Sequence, residues 1–488
     1  MAHIVTVIFD DRIAPSSDVA SIIGDVSFAR IVRRRQRLAL EIEAAAKKAQ
    51  SDFFFIKTDI EAHQFARHIE KRDPGSFYFL LPSCIAPLCM DKLVDIILKA
   101  AFAVDTMLLR PVNDDVAPIL LCAKDAVTLL GADDDEDRRS VLHRLADSAP
   151  CMDDHALMVD LRILRNLQRF LVGSTESRHF NDTSASSGIF YKRSSDIAKM
   201  EGEYKYFHVA PEEMTRFLMP TFGFWKKEDS AGYAMEHLPI PDVALQFLHG
   251  AFQPPEFDTL LESFFAFIAS RKKGARNAQH TVAEGRRQIL GKLEARLATF
   301  LDTEQGRKLD AILIASGPRG GLRDMHHDAV PFIERAIERF PDPHLVFGHG
   351  DPCFSNILFE KRLGFMRLID PRGAVTFEAG LMHPLYDVAK FSHSVMGGYD
   401  FINNDLFSCS LTERMTLECS LDGGGPPQWM QTAFCGRLEK AGFDISAVRA
   451  VELSLFLSML PLHSDRPNKL AGFALTAASI LDRLDDIA

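Results

Sequence analysis

Short apolar runs separated by amphipathic stretches dominate the first third of the chain. Ile4–Phe9 reads as a strand, and about 28–50 as a helix ending in an Ala- and Lys-rich turn. Phe53–Ile56 and Phe77–Leu81 repeat the strand pattern, the second ended by Pro82 and Ser83. Helical patterns follow them at about 60–72 and from Lys92 to Phe102. Ile119–Cys122, entered through Pro118, completes a set of four strands, since proline suits a strand's first residue better than its middle. Strand and helix alternating at this spacing predict an α/β domain with a largely parallel sheet over residues 1–165.

The pattern then changes. Residues 170–190 are rich in Ser, Asn, Asp and Gly and read as a loop or linker. Ile189–Ser195 is a strand carrying Lys192 near its end, and Tyr233–Leu238 is a strand followed by an acid and a turn. From about 256 to 315 the apolar repeat is helical, with Phe257, Leu260, Leu261, Phe264 and Phe267 on one stripe that reads as core. Gly317-Pro318-Arg319-Gly320-Gly321 breaks it, and helices return at about 444–486. Between them, Leu345-Val346-Phe347, Ile357-Leu358-Phe359 and Phe365–Ile369 are short buried strands around polar loops. The division expected is 1–165, 166–240 and 241–488.

Composition narrows the classes. A chain of 488 residues exceeds what one core usually serves. A formal net charge of −11 argues against a nucleic-acid partner, whose binding surfaces are basic. Arg30, Arg33, Arg34, Arg35 and Arg37 cluster inside the 28–50 helical pattern and read as a solvated helical face. The eight cysteines include no C-x-x-C pair, so no metal-site spacing appears and reduced thiols are expected. Asp10 and Asp11 cut the apolar start short of a signal-peptide core, and no run of 18 apolar residues occurs, so a cytoplasmic location and no membrane span are expected. His326-His327-Asp328 points in different directions on a helix and is not read as a metal site.

Chemistry concentrates in His349-Gly350-Asp351-Pro352-Cys353-Phe354-Ser355-Asn356 and in Asp370, at the end of the next strand. An Asp followed five residues later by an Asn can place a general base and a metal ligand on one loop. Asp370 adds a second oxygen ligand. Phosphoryl transfer needs those parts, a group orienting the hydroxyl nucleophile and oxygens holding Mg²⁺ on the nucleotide phosphates. Cys353 lies inside the loop, but that chemistry requires no thiol, and it reads as a small buried residue.

H-G-D-x-x-x-x-N followed by I-D resembles the catalytic and metal loops of the aminoglycoside phosphotransferase and choline kinase-like family, relatives of the protein kinases. The resemblance implies an α+β, two-lobed kinase-like domain that uses ATP and Mg²⁺ on a small-molecule hydroxyl acceptor. It implies Asp351 as catalytic base, His349 as the brace of the loop, and Asn356 and Asp370 as metal ligands. Lys192 is the expected phosphate-contacting lysine, with Glu203 as partner and Glu201 as alternate. Met235 and His237 mark the expected connector beside the adenine. Tyr386-Asp387-Val388-Ala389-Lys390 resembles the family too, with Asp387 as a structural anchor. No G-x-G-x-x-G loop is present. The break Leu462–Pro467 is where polar groups are expected to meet the acceptor.

The first domain resembles the sugar nucleotidyltransferase, glycosyltransferase-A-like fold that occurs fused to kinases of surface-polysaccharide pathways. By that analogy the acceptor is a sugar or sugar-like molecule. The chain departs from that fold's pattern, with Asp10-Asp11-Arg12-Ile13-Ala14-Pro15 in place of its Gly-rich basic loop and Leu81-Pro82-Ser83 in place of its metal-binding Asp. Asp59 and the Asp114-Asp115 pair are the remaining candidate ligands, but single acids at strand ends are usually solvated. The expectation is therefore a degenerate domain with a binding or assembly role. The alternatives are a bifunctional kinase and nucleotidyltransferase, or a non-catalytic nucleotide-binding protein. A homo-oligomer is compatible with either.

Overall fold

The computed structural model describes residues 5–33, 35–71, 75–110, 112–113, 115–152, 158–172, 181–186, 188–464 and 466–486. The chain divides into two compact units, Met1–Thr175 with His249–Ala251, and Glu176–Leu248 with Phe252–Ala488.

The first unit is built on five strands, β1 (Val5–Asp10), β2 (Asp52–Ile56), β3 (Phe77–Pro82), β4 (Met107–Leu108) and β5 (Ile119–Cys122). Their order in the sheet is β2-β1-β3-β5-β4. β1 pairs in parallel with β2 and β3, as alternating strand and helix predict. β5 instead runs antiparallel to β3, which the apolar pattern of Ile119–Cys122 had no means of encoding. Helices α1 (Leu38–Lys48), α2 (Asp59–Ile69), α3 (Met90–Ala100), α4 (Ala123–Leu130) and α5 (Asp135–Ser148) connect or flank these strands. One core cluster joins Ile8, Tyr78 and Leu121 of the sheet to Phe65, Leu129 and Leu142 of α2, α4 and α5. Thr58 caps α2 with Glu61 in a reciprocal capping box, which fixes where that helix starts.

The helix expected over 28–50 begins only at Leu38. Before it, a 3₁₀ turn (Phe28–Arg30) and a hairpin of two-residue strands, Val32–Arg33 and Gln36–Arg37, occupy the segment. Arg35 turns the hairpin with φ of 62°, which no helix accommodates. The arginines are therefore not one solvated face. Arg33 is buried, donates to Pro87 O and Leu88 O at 3.1 Å, and stacks over Phe170 at 4.3 Å. Arg34 lies outside the described residues.

The second unit opens with a four-stranded antiparallel sheet of β6 (Asn181–Ser186), β7 (Ile189–Ser194), β8 (Thr221–Lys226) and β9 (Ala231–Glu236), in the order β6-β7-β9-β8. Part of the expected linker is thus the edge strand β6, where polar composition is tolerated because one side of the ladder is unpaired. Helix α6 (Ile197–Val209) packs on this sheet through Met200, against Met219, Tyr233 and Met235.

Helices make up most of the remainder: α7 (Pro254–Ser270), α8 (Ala278–Arg286), α9 (Lys292–Leu301), α10 (Leu322–Glu338), α11 (Leu385–Val395), α12 (Ile445–Ser458) and α13 (Pro467–Asp485). Between α8 and α9 the chain takes a π turn, Arg287–Gly291. α12 is buried over its last eleven residues, its Arg449 and Glu452 paired with each other at 2.6 Å, and packs among α9, α10, α11 and α13. Two small ladders position the polar loops. β10 (Val346–Phe347) pairs with β13 (Leu381–Met382), and β11 (Ile357–Glu360) with β12 (Phe365–Leu368). Among the described residues, no helix is long and apolar enough to cross a membrane.

Candidate functional site

The loop 348–356 starts where β10 ends, and its backbone is held from below by one acid. Asp387, fully buried on α11, accepts from His349 N at 3.1 Å and Gly350 N at 2.7 Å. Its other neighbour is Arg271, whose Nη1 lies 3.2 Å from Asp387 Oδ2 and which also donates to Pro384 O. Burial pushes the Arg271 guanidinium down from its usual range, so this acid and cation need each other. Gly350 turns at φ of 83°, where a Cβ would come within 2.7 Å of Arg372 Cβ. Only glycine fits there.

His349 is fully buried, and burial pushes its imidazole down, so it stays neutral. Its carbonyl accepts from Arg372 N at 2.9 Å, and its Nδ1 lies 3.3 Å from Asp351 N. Asn356 closes the loop, with Nδ2 donating to Asp351 O at 2.9 Å, which turns its Oδ1 the opposite way. Phe354 anchors the loop from inside, edge-on to Phe391 of α11 at 4.9 Å and to Phe247 at 5.1 Å. Cys353 is buried, and burial pushes its thiol up, leaving it inert.

Asp351 points its carboxylate at a lysine that sequence reasoning left without a role. Lys390 Nζ lies 3.0 Å from Asp351 Oδ1. Burial would lower this ammonium, but Asp351 beside it holds it above its usual range. Lys390 is three residues after Asp387, so one turn of α11 supplies both the brace and this partner.

Asp370 follows β12 directly and sits at φ of 56°, a left-handed conformation that aspartate tolerates better than most residues. Ile369 N donates to Asn356 O at 3.0 Å, tying this second loop to the first. Two glycines then press the loop onto α6. Ala374 N donates to Gly202 O at 3.0 Å, and at Gly373, with φ of 90°, a Cβ would fall 2.7 Å from Gly202 C. The residue after Gly202 is Glu203, and this close approach brings it to the loop.

Lys192 of β7 completes the arrangement. Its Nζ lies 2.7 Å from Glu203 Oε2 and 2.8 Å from Asp370 Oδ1. Burial alone would lower this lysine, but the two carboxylates hold it above its usual range. Glu203, also buried, is pushed up by desolvation and accepts a further bond from Tyr233 OH at 2.9 Å. Asp370 is 43% exposed, so the triad has a dry end and a wet one. Glu201 pairs with Lys205 instead.

The remaining sequence candidates lie apart from this contact set. Met235 is buried on β9 in the α6 cluster. His237 follows β9, its N–H donating to Gly188 O at 2.9 Å and its ring stacked on Phe190 at 6.5 Å. Leu462 lies in a 3₁₀ turn, Leu460–His463, and Asp465 lies outside the described residues. In the first unit, Asp59 Oδ1 accepts from Arg12 at 2.8 Å and Asp115 Oδ1 meets His143 Nε2 at 2.7 Å. Asp114 lies outside the described residues. Asp105, Cys122 and Asp125 bring ligand atoms within 4.8 Å of one another, a grouping the cysteine spacing gave no sign of.

Sequence reasoning also missed a cluster around Tyr386. Lys292 Nζ donates to Tyr386 OH at 2.7 Å and Arg372 Nη2 donates to the same oxygen. Burial raises a phenol, but Arg372, Lys292 and Lys390 together hold Tyr386 down at about 8. Lys292 is itself lowered to about 8, by burial and then by Arg372 and Lys390. Lys292 sits in the apolar repeat of α9 and offered no signal of this kind.

No family model matches the chain, and no curated protein matches it. Among solved structures, the chain resembles an apo thermostable mutant of aminoglycoside phosphotransferase APH(4)-Ia, at 12% identity and a TM-score of 0.37, over 64% of this chain and 96% of that one. A further variant of that protein, in a ternary complex with AMP-PNP and hygromycin B, matches at 13% identity and a TM-score of 0.37, over 65% and 98%. An aminoglycoside-3'-phosphotransferase of type VIII matches at 14% and a TM-score of 0.33, over 57% and 93%.

Proposed function

We propose that this protein is an ATP-dependent kinase that phosphorylates a hydroxyl of a small molecule, and that the second unit carries the reaction. The observation behind this reading is the meeting of Lys192, Glu203 and Asp370 beside the loop of Asp351 and Asn356. A buried lysine held charged by two acids, one of them half exposed, suits contact with nucleotide phosphates. Asp351 takes the proton of the acceptor hydroxyl as that oxygen bonds to the γ-phosphorus. The bond from γ-phosphorus to the β–γ bridging oxygen breaks, and ADP leaves. Lys390 steers the Asp351 carboxylate. His349 and Asp387 hold the loop backbone in place.

The donor set fits a hard divalent cation. A carboxylate on a left-handed turn and an amide whose nitrogen is already engaged present oxygens, with no sulfur or imidazole among them. Asn356 and Asp370 would hold Mg²⁺, which when bound neutralises the oxygens of the β- and γ-phosphates. On this reading Met235 and His237, at the end of β9, would lie beside the adenine.

A sugar-like hydroxyl is the acceptor class that the two-unit layout favours. For the first unit a binding or assembly role is favoured over nucleotidyl transfer, because Asp10, the acid that ends β1, is held by both arms of Arg12.

Calorimetric titration of AMP-PNP with and without Mg²⁺ tests the nucleotide site. Tight binding that needs Mg²⁺ in the wild type, and loses that need in Asp370→Ala, is expected. Binding indifferent to both would sink the assignment.

A further inference from the structure

A cleft of about 630 Å³ opens in the second unit between the π turn at 287–291 and the loops that follow Asp370. Gly348, one residue before His349, and Arg372, two after Asp370, both line it, so it borders both catalytic loops. Its charged lining is Glu284, Arg287, Lys292, Arg372 and Glu378.

These charges are not equivalent. Glu284 is engaged, since Arg287 Nε donates to it at 2.8 Å and Gln288 Nε2 at 2.8 Å. Lys292 and Arg372 lack such a partner. Among the described residues neither has a carboxylate within 4.0 Å. Both instead converge on one phenol oxygen, with Arg372 Cζ also 4.4 Å and Lys292 Nζ 5.3 Å from the Tyr386 ring centroid. The third cation of the group, Lys390, is committed to Asp351. A mostly buried ammonium and a more exposed guanidinium sharing one tyrosine hydroxyl, with no carboxylate beside either, are electrostatically under-satisfied, and the depressed Lys292 ammonium expresses that cost.

A positively charged acceptor would add to the repulsion, and a neutral polyol would leave it standing. We propose that the cleft binds the anionic group of the acceptor, a phosphate or carboxylate seated between Lys292 and Arg372, so that the substrate is a hydroxyl compound already carrying negative charge. The π turn suits this task. It interrupts the run from α8 to α9 and supplies Arg287, Gln288, Gly291 and the following Lys292 to the cleft wall. Arg372 is planar and forked, and can grip two oxygens of such a group at once.

The identification of the anion's carrier as the acceptor rests on the kinase reading, whereas the anion site itself does not. The full chain is saturated with Mg²⁺ and AMP-PNP, then titrated with matched probes: glucose, glucose 6-phosphate, glucuronate and a cationic aminoglycoside. Inorganic phosphate is titrated separately into the nucleotide-free protein. An anionic probe is expected to bind at least about ten-fold more tightly than its neutral counterpart, as one charge-assisted hydrogen bond provides. Lys292→Met and Arg372→Gln should each weaken that binding, and that of phosphate, by about ten-fold or more, while Lys192→Met should spare phosphate binding at the cleft. Neutral or cationic probes binding as well as anions, no anion binding, or phosphate binding lost with Lys192→Met and kept in Lys292→Met would overturn the proposal. Failure of AMP-PNP to bind the wild type counts against the kinase reading, and the phosphate titration then still decides the cleft.

Discussion

Each unit of this protein clamps a cation between two acids close to a strand end, and the two clamps differ in what they leave over. In the first, Arg12 donates through Nε and Nη2 to both oxygens of Asp10 and through Nη1 to Asp59. Next to it Asp11 Oδ1 accepts from Ser83 Oγ at 2.6 Å and from Ala29 N. The same device recurs at Asp160, both of whose oxygens are held by Arg162. A guanidinium fork engages both oxygens of the carboxylate at once. In the second unit the cation is Lys192, a point charge that meets one oxygen of Asp370 and one of Glu203. Asp370 also stays 43% exposed, whereas the Asp10 side chain is 10% exposed. The contrast is that the first clamp buries its acid under a fork, whereas the second meets its acid through a point charge at a position that stays open to solvent.

The comparison breaks most visibly at the two cations. Lys192→Met should lower the rate of phosphoryl transfer by roughly 10²–10³-fold, the size of one lost electrostatic contact in a transition state. Arg12→Met should leave that rate alone but strand Asp10 in a dry position, at a cost of about 3–5 kcal/mol in unfolding free energy. Denaturant unfolding alongside steady-state kinetics separates the two outcomes, and a kinetic effect of Arg12→Met would erase the distinction. Next in size, Asp387→Asn keeps the brace's shape but removes the charge facing Arg271. A destabilisation of roughly 2–4 kcal/mol with kcat reduced more than KM for ATP is expected, since loop geometry rather than nucleotide contact is disturbed.

The smallest effect is on pH. His383 is buried, and burial followed by Arg271 lowers it from 6.5 to about 4. The folded protein keeps this imidazole neutral, while the unfolded chain takes up a proton below about 6.5. Its contribution to stability is therefore full above pH 6.5 and is lost as pH falls toward 4, amounting to about 3 kcal/mol at most. Urea midpoints at pH 7 and pH 5 should differ, and by less in His383→Gln.

Much of the second unit's candidate site was legible as a grouping of residues because it depends on short spacings. Asp351 and Asn356 share one loop, and Asp370 ends the adjacent hairpin, so sequence distance stands in for spatial distance. Lys192 and Glu203 were readable as a strand lysine followed by a helix acid. What periodicity hid were directions and exceptions. The apolar run at Ile119–Cys122 marks a strand but not that it runs antiparallel to β3. The 28–37 segment has helical spacing, yet Arg35 turns a hairpin and Arg33 is buried over the ring of Phe170. Residues 181–186 looked like a linker because an edge strand need not be apolar. Lys292 and Arg372 meet across 80 residues at a tyrosine, and no local pattern announces that.

The most direct test is transfer of the γ-phosphate of ATP, with Mg²⁺ present, to a panel of sugars, sugar phosphates, uronates, choline and aminoglycosides, using wild type, Asp351→Asn and Asp10→Asn. The geometry predicts transfer to one acceptor class by the wild type and by Asp10→Asn, with a loss of roughly 10²–10⁴-fold in Asp351→Asn while AMP-PNP still binds. Transfer that survives in Asp351→Asn, or that disappears in Asp10→Asn while the protein stays folded, would contradict the assignment of the site to the second unit.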